Sequence, residues 1–199
     1  MGAISVYLAD DNLLVRAGVR ALLDREPDVE VVGEAASFDE LLAGACELAP
    51  NVVVSDIRMP PAFQREGIDA AKEIRKRHPG TGVVILSQHD DPEYAVSLLS
   101  DGAAGYAYLL KDRVAEGDQL TNAVRAVAAG GTVVDPVIVE ALVRPVRSDD
   151  RQLDAADEEL LTFVAEGRSI KAIAVLRQTT PEDVADDVER LFLRLAQGA

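Results

Sequence analysis

In Val52-Val53-Val54-Ser55-Asp56-Ile57-Arg58-Met59-Pro60 a short β-branched run stops on an acid and, four residues later, a proline. A run this short, apolar and without polar alternation has the length and composition of a strand covered on both faces, the habit of parallel sheets. Four similar runs flank it, at residues 4–9, 29–34, 83–86 and 106–110. The stretches between them carry helical spacing. Leu14, Val15, Val19, Leu22 and Leu23 fall on one face, as do Ile68, Ala71, Ile74 and the apolar stem of Arg75. Pro27, Pro50, Pro79-Gly80 and Gly102 stand where those helices should end. Five strand–helix alternations predict a parallel sheet with helices on both faces.

In such a sheet the binding crevice lies beyond the carboxyl ends of the strands. Four strands deliver a chemically useful group there: Asp10-Asp11, Asp56, Ser87 and Lys111. Taken one at a time each has an ordinary explanation. Asp10-Asp11 could cap a helix, Asp56 could form a turn, Ser87 could sit in a loop and Lys111 could be a solvated charge. Taken together they describe a site. Three close carboxylates repel one another and call for a hard divalent cation, with Mg²⁺ the natural candidate because it also binds phosphoryl oxygens. A lysine and a hydroxyl aimed at the same place would complete a phosphoryl site.

Ala9-Asp10-Asp11, Ser55-Asp56-Ile57-Arg58-Met59-Pro60, Ile85-Leu86-Ser87 and Leu109-Leu110-Lys111-Asp112 together resemble the motif set of response-regulator receiver domains, over residues 4 to about 129. The resemblance implies a flavodoxin-like α/β fold with a five-stranded parallel sheet in the order 2-1-3-4-5. It implies Asp56 as phosphoacceptor for a histidine kinase, Mg²⁺ held by Asp10, Asp11, Asp56 and the Arg58 carbonyl, and Ser87 and Lys111 on the phosphoryl oxygens. Tyr108 matches the switch aromatic of the family. Three features depart from the pattern: two extra residues in Gly105-Tyr106-Ala107-Tyr108, a long loop at residues 60–67, and Asp112 rather than proline after Lys111. His89, two residues past Ser87, reads as an exposed loop imidazole or as a group that positions water for dephosphorylation. Two distant histidines and one cysteine offer no His/Cys metal spacing, and Cys46 reads as a small buried apolar residue.

Residues 131–152 read as a linker in which Asp135-Pro136 starts a short helix, with the polar run 147–152 joining two units. The receiver is then residues 1–130. Residues 153–199 resemble the helix-turn-helix output domain of luminescence-regulator (NarL/LuxR-type) response regulators, an all-α unit with helices near 156–166, 169–176 and 181–195. The family's fourth helix is expected to be missing. Thr180 is placed as N-cap and Pro181 at the first helical position. The third helix would enter the major groove in relatives, but here it carries Glu182, Asp183, Asp186, Asp187 and Glu189 against Arg190 and Arg194. Carboxylates facing phosphate oxygens remove the electrostatic term that drives DNA association.

The whole chain has 199 residues and a net charge of −15. Residues 1–146 hold −10 of that charge and residues 147–199 the other −5. That balance argues against nucleic acid and anionic membranes as partners. The lone cysteine excludes an intramolecular disulfide, and the N-terminus lacks the pattern of a secretory signal, so the expected location is the cytoplasm. No nucleophile–base pair, nucleotide loop or cofactor fingerprint points to an enzyme of another kind. The expectation is a phosphorylation-switched regulator whose output is a protein contact; the alternative is a phosphorylation-dependent DNA-binding transcription regulator. A homodimer could form through the face near Tyr108 or through residues 132–146.

Overall fold

The computed structural model describes residues 2–88, 92–99, 104–115, 118–141, 153–166, 168 and 170–196. His89, Gly102, the polar run 147–152, Gly167, Ser169 and the end of the chain at 197–199, all singled out in the sequence, lie outside the described residues.

Six strands form one parallel sheet: β1 (Ile4–Ala9), β2 (Val29–Ala35), β3 (Val52–Asp56), β4 (Gly82–Ser87), β5 (Tyr106–Leu110) and β6 (Val133–Val134), in the order β2-β1-β3-β4-β5-β6. The expected order 2-1-3-4-5 holds, and β6 continues it. The sixth strand was not anticipated because two valines inside Thr132–Asp135 show no pattern of their own; pairing with Ala107 and Tyr108 makes them a strand. The helices are α1 (Leu13–Leu23), α2 (Phe38–Leu48), α3 (Glu66–Arg77), α4 (Pro92–Leu99), α5 (Gln119–Ala128), α6 (described over 136–141), α7 (Ala155–Ala165), α8 (Ile170–Arg177) and α9 (Pro181–Ala196).

Local chemistry explains where the helices begin. The Asn12 side chain accepts the backbone N–H groups of Leu14 and Val15 and caps α1. At α2 the Ser37 hydroxyl accepts the Glu40 N–H, and the Glu40 carboxylate returns the bond by accepting the Ala36 N–H. The Asp135 carboxylate accepts the Val137 N–H at the start of α6, the cap expected of Asp135-Pro136.

Strands β3 and β4 are buried along their whole length, as a sheet covered on both faces requires. One apolar cluster joins β1, β3 and β4 to α1 and α5, and another packs α2 and α3 over the opposite face. The third cluster runs from Tyr108, Leu98 and Leu99 through Val134 and Ile138 to Leu160, Ile173, Val188 and Phe192, so the C-terminal helices share a core with the sheet. Helix α9 packs on α4, and α7 packs on β6. The apolar stripe Val184, Val188, Leu191, Phe192 and Leu195 is fully buried, as its spacing predicted.

Two expectations about burial fail. Leu14 is 82% exposed, with Leu13 beside it also exposed: both sit in the first turn of α1, and only Val19 and Leu23 of that helix reach the core fully. Cys46 is half-buried rather than buried, its thiol 3.6 Å from the Arg77 guanidinium. Among the described residues no helix is long and apolar enough to cross a membrane.

Candidate functional site

The strand registers place Ala9 opposite Ser55, Asp56 opposite Leu86, and Ser87 opposite Leu110. The first residue beyond or the last residue within each of these strands therefore lies on one edge. Asp10 follows β1, Asp56 ends β3, Ser87 ends β4 and Lys111 follows β5. The sheet brings together residues separated by about half the chain.

The Lys111 ammonium lies between two acids, 2.7 Å from Asp10 Oδ2 and 3.0 Å from Asp56 Oδ2. All three side chains are nearly or wholly buried. The remaining carboxylate oxygens are held as well: Asp10 Oδ1 accepts the Asn12 N–H at 2.9 Å, and Asp56 Oδ1 accepts the Ile57 N–H at 2.7 Å. Asp11 is exposed at the mouth. One oxygen from each of Asp10, Asp11 and Asp56 lies within 4.8 Å of the others. Burial pushes the Asp56 carboxyl above the ordinary carboxylate range; the nearby Lys111 charge pulls it back, and the Asp10 carboxylate adds to the rise.

Ser87 is buried, and its backbone carbonyl accepts the Lys111 N–H at 2.7 Å, tying the hydroxyl and the ammonium to one short stretch of sheet edge. Tyr108 is wholly buried in β5, so any dimer surface near it must use its neighbours. Arg58, two residues past Asp56, extends its guanidinium to the Tyr94 hydroxyl of α4 at 3.2 Å. The long loop at 60–67 is tied down by Glu66, whose carboxylate accepts the N–H groups of Ala62 and Gln64.

Three carboxylates against one ammonium leave an excess of two negative charges in a mostly buried space. Hard oxygen donors, close enough to share an ion and carrying uncompensated charge, are the donor set a small divalent cation takes. The residues present fit Mg²⁺ on those grounds.

Sequence reading missed several contributors. Gly67 lets α3 start against Asp56: a Cβ there would lie 1.7 Å from the Asp56 carbonyl oxygen. Arg113, two residues after Lys111, pairs with the buried Asp135 at 2.8 Å. Arg16 and Glu34 form a charged pair beside Asp10. Only Gly67 left a sequence signal, a glycine near the start of a predicted helix; the ion pairs join segments far apart in the chain.

The acids of α9 also have definite places. Asp183 Oδ2 accepts the hydroxyls of Thr179 and Thr180, while the Thr180 hydroxyl accepts the Asp183 N–H. That is a capping box with aspartate in the usual glutamate position, and it holds the Asp183 carboxyl below the ordinary range. Asp187 pairs with Arg190 and, at 3.2 Å, with Arg177. Arg194 pairs with Asp157 of α7 at 2.5 Å, and Asp186 is exposed.

Residues 6–125 match the response regulator receiver domain family. The oxygen regulatory protein NreC of Staphylococcus carnosus (strain TM300) is 33% identical over 182 residues, 86% of this chain and 81% of that protein. The uncharacterized transcriptional regulatory protein YxjL of Bacillus subtilis (strain 168) is 36% identical over 194 residues, 96% of this chain and 82% of its own. The structure of the RcsB response regulator of Salmonella typhimurium, solved in connection with DNA interaction, superposes with a TM-score of 0.61 at 23% identity, covering 99% of this chain and 93% of that one. At that identity the last likeness shows a shared fold, through both the sheet and the C-terminal helices.

Proposed function

The chain belongs to the response-regulator receiver family, and from that premise we propose that it is a phosphorylation-switched regulator in which Asp56 accepts a phosphoryl group from a sensor histidine kinase. The observation that carries the reading is the meeting of Asp10, Asp11, Asp56 and Lys111 at one sheet edge. A carboxylate oxygen of Asp56 attacks the phosphorus of the phosphohistidine. The new O–P bond forms as the P–N bond breaks, and the imidazole leaves with the electron pair. The Lys111 ammonium pairs with the charge gathering on the transferred oxygens, and the Ser87 hydroxyl donates one hydrogen bond to them. Asp10, Asp11, Asp56 and the Arg58 carbonyl are the residues that would hold Mg²⁺, which when bound neutralises part of that charge. The protein acts as phosphoacceptor and switch, with self-dephosphorylation as its only further chemistry.

The switch follows from packing. Ser87 and Lys111 flank the strand pair β4–β5, and Tyr108 in β5 belongs to the apolar cluster that continues through α4 to α9. Drawing Ser87 towards a phosphoryl group shifts an equilibrium that this shared core transmits to the C-terminal helices. The receiver is assigned to residues 1–130 with β6 as its continuation, residues 131–152 connect, and residues 153–199 form the output unit.

The output is a protein contact. Arg177, Arg190 and Arg194 are each paired with an aspartate of their own unit, so these three arginines, which could dock a helix on phosphates, are already engaged. A DNA output is the second reading, favoured by the transcriptional regulators among the relatives. Titration of duplex DNA with the phosphorylated chain across a range of salt concentrations separates the two. The protein-contact reading expects weak binding with a shallow salt slope. Submicromolar affinity with a steep slope overturns it. Replacing Asp56 with Asn should abolish labelling by acetyl phosphate with Mg²⁺; retained labelling sinks the phosphoacceptor assignment.

A further inference from the structure

We infer that Arg16 is a positioning residue for the acidic cluster, acting through the backbone of Asp10; this rests on the reading of Asp10 as a residue that holds the metal. Arg16 lies on α1, with its side chain only 14% exposed. Its Nη1 donates to the Asp10 carbonyl oxygen at 2.5 Å, and its Nε donates to Glu34 Oε2 at 2.9 Å. Glu34 is in turn held by Arg20, whose Nη1 reaches Oε1 at 2.5 Å. The Asp10 N–H donates to Ala35 O at 3.2 Å, in the residue next to Glu34. Both peptide groups of Asp10 are therefore pinned, one by the end of β2 and one by a guanidinium that the end of β2 orients.

The chemistry demands this particular side chain. One planar fork satisfies two acceptors on different elements, a backbone carbonyl and a carboxylate. A lysine ammonium keeps the charge but cannot hold both in fixed geometry. A cation next to a site that must take Mg²⁺ would also weaken that site by repulsion. Glu34 answers the difficulty: it neutralises the guanidinium and leaves its orienting role. The pair behaves as the support for a metal-holding carboxylate rather than as part of the donor set.

The test uses the full chain, free of phosphodonor, titrated calorimetrically with magnesium chloride. R16K and E34Q should each raise the Mg²⁺ dissociation constant by about tenfold, the low end for loss of a supporting partner. R20K touches Glu34 but not Asp10, and should stay within about twofold of wild type by the same reasoning. In labelling with acetyl phosphate, R16K should need more Mg²⁺ for half-maximal rate yet recover most of the wild-type rate at saturation. If R16K and E34Q bind Mg²⁺ as tightly as wild type, the inference is overturned. If R20K is as weak as R16K, the effect is general loosening of α1 and the inference is again overturned. A wild-type chain that takes up no Mg²⁺ overturns the cluster reading and this one with it, whereas wild-type uptake matched by R16K overturns this one alone.

Discussion

Replacing Asp56 with Asn should make the metal-free chain more stable, although it removes the proposed phosphoacceptor. The Asp56 side chain is 12% exposed and shares one ammonium with Asp10. Burial raises its pKa against the opposing pull of Lys111, and Asp10 adds to the rise. A carboxyl whose folded pKa is raised holds its proton more tightly in the folded chain. Its contribution to stability is complete below the ordinary carboxylate range and is lost as the pH climbs through the raised value. At neutral pH the ionised group is therefore a net cost. Asparagine keeps an oxygen for the Ile57 N–H, which Asp56 accepts at 2.7 Å, and leaves Lys111 wholly to Asp10. Relief of such a strained site is worth about 0.5–2 kcal/mol. For a chain of this size each kcal/mol moves the melting temperature by about 2–4 °C. The assay is thermal unfolding with EDTA at neutral pH and again at mildly acid pH. The variant should melt higher at neutral pH, and the advantage should shrink as the pH falls. Adding Mg²⁺ should erase it, because only the wild type retains the full donor set and gains by mass action. A variant that melts at or below the wild type in EDTA at neutral pH refutes the reasoning, as does an advantage that ignores pH.

Three further outcomes follow from the geometry. Lys111→Met leaves Asp10 and Asp56 buried without their shared cation, and should cost about 3–5 kcal/mol in urea unfolding without metal, part of it restored by Mg²⁺; no Mg²⁺ rescue would contradict the account of the cluster. Gly67→Ala puts a methyl group against the Asp56 carbonyl oxygen and should cost about 3 kcal/mol or more, with Mg²⁺ uptake weakened as β3 shifts; an unchanged melting curve would show that α3 can yield. Thr180→Ala removes the acceptor for the Asp183 N–H and should cost about 1 kcal/mol, with reduced helical circular dichroism; no change in either would mean the cap contributes nothing.

The part of the fold visible in the sequence was the part built from repeated local signals. Buried strands announce themselves as β-branched runs such as 52–54, and their ends as a chemical change at Asp10, Asp56 and Lys111. Because parallel strands share one polarity, naming the strand ends was enough to collect the site. Strand β6 was hidden because two valines have no period, and their pairing with β5 depends on tertiary context. Leu14 misled for the opposite reason: its helical spacing suits a core face, but it sits in the first turn of α1 and is 82% exposed. Ion pairs such as Arg113–Asp135 and Arg16–Glu34 depend on which surface charges meet across the fold, and spacing along the chain carries no record of that.

The acids of α9 work differently in the folded chain from the way they read in the sequence. A tally of charge casts all five as repellents of phosphate. In the structure Asp183 is spent on the cap, and Asp187 stands between Arg177 and Arg190. For Arg190 to grip a phosphate it must first release Asp187, which would bring a carboxylate held only by Arg177 close to the duplex. On the protein-contact reading the obstacle to DNA is an internal competitor as well as a missing patch, and Asp187 alone engages both Arg177 and Arg190. Asp187→Ser should free Arg190, leave Arg177 only its 3.9 Å pairing with Glu159, and remove one negative charge, while Val184, Val188 and Leu191 keep the helix packed. Measured by fluorescence anisotropy on duplex DNA, the variant should gain salt-dependent binding, with a slope steeper than wild type by about one ion for the phosphate contact that Arg190 can then make. Equal slopes in variant and wild type would show that Asp187 does not compete with phosphate. A wild type that already binds steeply would show that the arginines exchange partners freely, and the output would then be DNA.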